Sequence, residues 1–259
     1  MWIKICGVTR AEDVSTVACS GANAIGFNFF AGSKRYVSIE HARSLIQVAK
    51  NNAGDTPPLD LVGVFVNSEA QDVQTTVKET GVSVIQIHGD ETEEQIAEIH
   101  RLCPDIPLVR AVRVHSKNLE RTLEEIDRLC AMVPLAAILL DAFVPGEFGG
   151  TGKSLDLSVL QTYAAQLRPR LILAGGLTPE NSAKMTLHPI VWGADTASGV
   201  ESSPGIKDAI RVRKFVDNVR QATSVASEQR TDFPNRRISL RNLNSRNQRR
   251  YPANGLAGE

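Results

Sequence analysis

Residues 2–28 read WIKICGVTRAEDVSTVACSGANAIGFN, and how this stretch divides decides the fold. Its ends, WIKIC over 2–6 and NAIGFN over 23–28, are short, mainly apolar runs without strict alternation, the pattern of strands covered on both faces. The intervening residues 11–20 have the spacing of an amphipathic helix. A strand, a helix and a second strand make a unit whose strands run parallel and whose crossover is right-handed.

The same unit recurs outward along the chain. Further strands are expected near 60–66 (DLVGVFV), 83–87 (SVIQI), 107–112 (PLVRAV), 136–141 (AAILLD), 170–174 (RLILA) and 193–197 (GADTA). Helices are expected near 39–51, 69–79, 92–102, 117–131, 156–167, 179–186 and 206–220. Ser68-Glu69 and Thr92-Glu93-Glu94 set small hydroxyls before acidic first turns, and Thr178-Pro179-Glu180 sets proline at a first helical position. Residues 51–58 (NNAGDTPP) read as a polar loop. Eight units predict an α/β fold, a single closed (β/α)8 TIM barrel; a doubly wound open sheet is the alternative and would need fewer strands.

Composition sets the boundaries. A chain of 259 residues suits one large domain. Its 29 Lys and Arg balance 29 Asp and Glu, so no global field favours nucleic acid or an anionic membrane. The aromatic share is 5%, which calls for an aliphatic core. The start, MWIK, lacks a charged leader followed by an apolar signal segment. The apolar run from Met132 to Leu140 is far shorter than the roughly 18 residues of a membrane span. Four cysteines without a CxxC pair read as reduced thiols, consistent with a cytoplasmic protein. The barrel domain is assigned to 1–220. Residues 221–259 hold seven arginines and three acidic residues with little apolar periodicity, and are read as a disordered or loosely docked polar tail. Its arginine density alone, without a motif or aromatic platform, does not argue for nucleic-acid binding.

Barrel chemistry gathers at the C-terminal ends of strands. Strand one ends at Cys6 and strand six at Asp141, a carboxylate that is costly after an aliphatic run unless paired or used. His88 follows strand four, as a substrate contact or as a satisfied structural histidine. Arg35 lies on the loop after strand two, where a guanidinium can grip a carboxylate bidentately. Cys19, Cys103 and Cys130 lie in or beside helices and read as small buried hydrophobes.

Glycine clusters follow the last three strands. These are Gly149-Gly150-Thr151-Gly152-Lys153, Ala174-Gly175-Gly176-Leu177 and Ser198-Gly199-Val200-Glu201. Glycines let backbone N–H groups converge on an anion, and barrel phosphate sites often use the loops after strands seven and eight. The candidate phosphate-binding residues are Gly150, Gly152, Gly175, Gly176, Ser198 and Gly199. GGTGK lacks Walker spacing, and neither a dinucleotide fingerprint nor a metal-ligand motif is present in the sequence.

Taken together, these motifs resemble the phosphoribosylanthranilate isomerase family. The resemblance covers residues 2–220 in order, through KICGVTR (4–10), AIGF (24–27), RYVS (35–38), VGVFVN (62–67), QIHGDE (86–91), LDA (140–142), GGTGK (149–153), LAGGL (173–177), SGVE (198–201) and PGIKD (204–208). It departs from the usual pattern at Thr196-Ala197-Ser198 and at Lys34. The resemblance implies an Amadori rearrangement of N-(5-phosphoribosyl)anthranilate in tryptophan biosynthesis. Asp141 would be the general acid, Cys6 the general base and Arg35 the ligand of the anthranilate carboxylate; His88 is assigned as a substrate contact from its place after strand four, not from the resemblance. It implies no metal and no organic cofactor, a small-molecule phosphosugar–anthranilate substrate, no nucleic-acid or membrane partner, and a monomer or homodimer. The nearest rival, the imidazole-pathway isomerase, is similar to a two-Asp arrangement, and Cys6 at the end of strand one argues against it.

Overall fold

The computed structural model describes residues 1–52, 58–113, 119–141, 163, 169–228 and 240. Eight parallel strands close into a barrel: β1 Trp2–Ile5, β2 Ala24–Asn28, β3 Asp60–Phe65, β4 Val84–Ile87, β5 Leu108–Arg113, β6 Ala137–Asp141, β7 Arg170–Ala174 and β8 Val191–Thr196. Closure comes from β1 pairing with β8, with Trp2 opposite Gly193 and Lys4 opposite Asp195. The described helices are α1 Ala11–Ser20, α2 Ile39–Asn51, α3 Ala70–Thr80, α4 Glu93–Leu102, α5 Leu119–Met132, α6 Pro179–Thr186 and α7 Ala209–Glu228. The helix expected at 156–167 lies outside the described residues except for Tyr163, which is helical and buried.

The two-residue period of a strand sorts side chains into two cores. Ile3, Ile5, Ile25, Phe27, Ile138, Leu140, Leu171 and Leu173 point outward and pack under the helices. Trp2, Ala24, Val62, Val84, Ala137, Leu139 and Ile172 fill the lumen. Each fully buried aliphatic side chain contributes about 1.5–3 kcal/mol, and together these hold the ring against chain entropy. The same period turns Lys4 and Cys6 into the lumen beside Trp2, so β1 ends in charged and reactive groups rather than packing groups.

Helix ends follow local chemistry. Thr92 caps α4 in a reciprocal capping box with Gln95, and Thr178 caps α6 likewise with Asn181, with Pro179 at the first position. At α3 the expected hydroxyl cap is absent: Glu69 occupies that place without a side-chain cap bond. The last helix starts at Ala209 rather than near 206, because Asp208 Oδ1 accepts from the N–H groups of Ile210 (2.8 Å) and Arg211 (3.0 Å). The residues before it form an antiparallel hairpin, β9 Glu201–Ser203 with β10 Ile206–Lys207, which the apolar periodicity did not signal.

At its far end α7 runs on to Glu228, past the boundary drawn at 220. Leu240 is fully buried in the lumen core at the N-terminal end of the strands. Its N–H donates 2.8 Å to Asp60 Oδ2, which also accepts from Trp2 Nε1 at 3.0 Å. Trp2 stacks on Trp192, and the Arg170 guanidinium lies over that second indole. The other residues from 229 onward lie outside the described set, and so do residues 53–57 of the polar loop. Among the described residues no helix is long and apolar enough to cross a membrane.

Candidate active site

Cys6 follows the last residue of β1 and is held there by its N–H, which donates 2.8 Å to Thr196 O. Its thiol is half-buried. Gly7 comes next with φ at +70°, and a Cβ added there would run into Arg35 Cδ. Only glycine therefore lets the β2 loop bring Arg35 over the mouth of β1. Arg35 donates through Nε and Nη2 to the two oxygens of Glu201, each at 2.7 Å. Glu201 is nearly buried and also accepts from Lys207 Nζ at 2.7 Å. The bidentate pair with Glu201 uses the Nε and Nη2 edge of the guanidinium. Burial pushes the Glu201 carboxyl up, yet the bonds from Arg35 and Lys207 outweigh it and hold the group below the ordinary value. Burial pulls the Lys207 ammonium down, although Glu201 works against that.

Across the barrel, Asp141 ends β6 and is partly exposed to the mouth. His88 Nε2 lies 3.6 Å from Asp141 Oδ2. The other ring nitrogen of His88, Nδ1, is 2.9 Å from the amide of Gln86. Gln86 Oε1 accepts from Lys4 Nζ at 2.5 Å, so its NH2 group is the one facing His88. Nδ1 must then accept, which leaves the ring proton on Nε2, toward Asp141. A buried lysine thus fixes, through one amide, which face of a histidine meets Asp141.

The candidate phosphate loops lie at the same end. Gly175 and Gly176 follow β7 with φ of +82° and +67°, and Gly176 is exposed. Ser198 and Gly199 open a 3-10 turn after β8, where a Cβ on Gly199 would overlap the Leu177 carbonyl. Thr196 Oγ1 donates 2.7 Å to that carbonyl and ties the two loops together. Gly150 and Gly152 lie outside the described residues, and so does the rest of GGTGK. Of the remaining cysteines, Cys103 is buried and Cys130 half-buried, but Cys19 is exposed on α1. The buried face of that helix is made by Asp13, Val14 and Val17, which turns position 19 outward.

The family model of N-(5'phosphoribosyl)anthranilate (PRA) isomerase matches residues 3–218. The chain belongs to the phosphoribosylanthranilate isomerase family. An N-(5'-phosphoribosyl)anthranilate isomerase of Chlorobaculum tepidum is 37% identical over 223 residues, spanning 85% of this chain and 95% of the relative. One from Pseudomonas aeruginosa is 39% identical over 218 residues, spanning 84% and 94%. The phosphoribosyl anthranilate isomerase structure from Thermotoga maritima superposes with a TM-score of 0.71 at 33% identity, over 85% of this chain and 99% of that one. A solved complex of the family with reduced 1-(o-carboxyphenylamino)-1-deoxyribulose 5-phosphate matches at TM-score 0.68 and 31% identity, with coverage of 85% and 99%.

Within this member of the phosphoribosylanthranilate isomerase family, the strand-end reading located Cys6, Arg35, His88 and Asp141 at one end of the barrel, but it gave no role to Lys4, Gln86, Asp195, Glu201 or Lys207. A signal existed for Lys4: a lysine flanked by Ile3 and Ile5 in a strand covered on both faces must find a partner in the lumen. For Glu201 and Lys207 the signal was weaker, because only the hairpin brings them to the mouth.

Proposed function

We propose that the chain isomerises N-(5-phosphoribosyl)anthranilate to 1-(2-carboxyphenylamino)-1-deoxyribulose 5-phosphate, a step of tryptophan biosynthesis, by general acid–base catalysis. Asp141 donates a proton to the furanose ring oxygen, the C1–O bond breaks, and the anilino nitrogen becomes an iminium. The positive nitrogen acidifies the C2 proton, which Cys6 removes to leave a neutral enolamine. Protonation at C1 and loss of the C2 hydroxyl proton then give the ketone. The substrate supplies its own electron sink, so the chemistry calls for neither metal nor organic cofactor. Net proton transfer from Cys6 back to Asp141 restores both groups.

The observation that carries this reading is the placing of a thiol and a carboxyl at the same end of one barrel, on β1 and β6. Beside them stands a guanidinium whose free edge suits the anthranilate carboxylate. Strand ends fix such groups to within the tolerance that acid–base chemistry needs. Backbone N–H groups near Gly176, Ser198 and Gly199 hold the phosphate, with Gly150, Gly152 and Gly175 assigned to the same role. His88, beside Asp141, orients the acid and is assigned a contact with the substrate.

The test follows the loss of anthranilate fluorescence from freshly prepared substrate in the wild type, Cys6→Ser and Asp141→Asn, with chelator present. Fast wild-type turnover and a loss of about 10²-fold or more in each variant are expected. A folded, phosphate-binding wild type without turnover would overturn the assignment.

A further inference from the structure

We propose that Lys4 is a positioning residue for Cys6: its buried ammonium, clamped by Asp195 and Gln86, is the fixed positive charge against which the Cys6 thiolate forms. The inference rests on the reading of Cys6 as the base.

The geometry begins with Gly26 on β2. A Cβ built there would lie 2.8 Å from Cys6 Sγ and 2.9 Å from Lys4 Cε. The two side chains therefore converge on the one spot of the neighbouring strand that carries no side chain. Lys4 is fully buried. Its ammonium gives one proton to Gln86 Oε1 at 2.5 Å and another to Asp195 Oδ2 at 2.9 Å. An ammonium has three donors, so one remains beyond these two bonds, and the nearby Cys6 is among the groups whose charge it feels.

Lys4 is an expensive residue in that place. A buried lysine–carboxylate pair often stabilises less than well-packed apolar residues of the same volume. Here the pair is not even fully satisfied, since Asp195 Oδ1 is buried and accepts no hydrogen bond among the described residues. A lumen filled by Val62, Val84, Leu139 and Ile172 has no packing reason to admit this charge. A thiol that must ionise beside it supplies a chemical one.

The groups facing Cys6 support the same assignment. They are Lys4 on β1, Asp195 on β8, Lys207 on β10 and Arg35 from the β2 loop, with Glu201 on β9 behind the last two. That is three cations against two carboxylates, a surplus of one positive charge that a thiolate neutralises. Burial pushes the Cys6 thiol up and prevails, leaving it above its ordinary value; Lys4 is the largest influence pulling it down, Asp195 adds to the rise and Lys207 opposes it. Burial also disfavours the Lys4 ammonium, but Asp195 and Cys6 together outweigh it and raise the lysine above its ordinary value.

Opposite signs make the proposal testable. Lys4→Met removes the cation, whereas Asp195→Asn removes the anion that competes with the thiolate. In the full-length protein, iodoacetamide alkylation of the Cys6 peptide is followed against pH by mass spectrometry, which separates it from Cys19, Cys103 and Cys130. The pH profile of kcat/KM is measured alongside. The alkylation midpoint is expected to rise by about one pH unit in Lys4→Met and to fall in Asp195→Asn. At neutral pH, kcat/KM drops about tenfold for each unit of rise. If Lys4→Met does not fold, the double variant with Asp195→Asn carries no unpaired charge and must have a midpoint above that of Asp195→Asn alone. Midpoints that stay put, or that move the same way in both single variants, overturn the role of Lys4 and leave Cys6 as base intact. Midpoints that move as expected while kcat/KM ignores them sustain the coupling and overturn the reading of Cys6 as base.

Discussion

Replacing Glu201 by glutamine tests the scaffold of the site at one atom. The carboxylate takes two bonds from Arg35 and one from Lys207, all at 2.7 Å, and a longer one of 3.3 Å from the Gly205 N–H. Glutamine keeps one acceptor and turns an NH2 group toward a cation that already donates. One charge-assisted hydrogen bond contributes about 1.5–3 kcal/mol, and stripping the partner from a buried charge costs about 3–5 kcal/mol. The Arg35 side chain is 26% exposed, so water recovers part of that loss. A net cost of about 3 kcal/mol follows, which in a barrel of this size is a fall of roughly 6–12 °C in Tm. Because Arg35 loses the anchor that aims it, KM should rise severalfold with kcat changing less.

The pH dependence has a definite sign. The Glu201 carboxyl is held below its ordinary value of 4.5, so its stabilisation is complete above that pH and fades as pH falls through the lowered folded value. The gap between wild type and Glu201→Gln should therefore close in acid. Thermal unfolding by circular dichroism at several pH values and a fluorescence measurement of KM provide the readouts. A Tm change below about 2 °C with KM unmoved would refute the view that this carboxylate organises Arg35 and Lys207.

Other outcomes follow from single contacts. Gly199→Ala should cost about 1–3 kcal/mol or more, because the new Cβ overlaps the Leu177 carbonyl, and should weaken inhibition by inorganic phosphate; unchanged stability in urea would contradict the crowding. Gly176→Ala meets open space and should cost only the left-handed strain, about 1–2 kcal/mol, so a loss as large as that at position 199 would contradict this geometry. Leu240→Ala should cost about 2–3 kcal/mol in denaturant unfolding with kcat unaltered, since the residue is buried at the end opposite the site; an unmoved midpoint would mean the contact does not form in solution. Gln86→Leu should lower kcat more than it raises KM, because it removes the amide that sets the His88 proton toward Asp141; a kcat equal to wild type would remove His88 from any part in orienting the acid.

Much of the scaffold was legible because its signals are local. The bounds of α1, α2, α6 and β7 coincide with those read from the apolar periodicity and, at α6, from the Thr178-Pro179 start signal. The hairpin of Glu201 to Lys207 was missed because three residues facing two make no period, and the start of α7 was misplaced because Asp208 sits inside an apparently continuous helical run. Lys4 was passed over for a different reason. In strands apolar on both faces, a single charge looks like noise unless the two-residue period is followed from Trp2 through Lys4 to Cys6. Leu240 gave no signal at all, since one leucine in a polar tail carries no pattern and its partner, Asp60, is 180 residues away.

The division between legible and illegible has a physical basis. A candidate group at a strand end announces itself by sitting where its own strand stops, so Cys6 and Asp141 can be read from a few neighbours. The groups that set its charge state need not be near in sequence. Lys4 and Asp195 are 191 residues apart and Arg35 and Glu201 166 apart, and they meet because β1 closes on β8 and the β9–β10 hairpin folds back over the mouth. Closure is thus an electrostatic event as well as a topological one. Without β8 beside β1, the Lys4 ammonium in the lumen would lack its carboxylate, and Arg35 would lack its anchor. The same step that completes the hydrogen-bonded ring also completes the set of charges around Cys6.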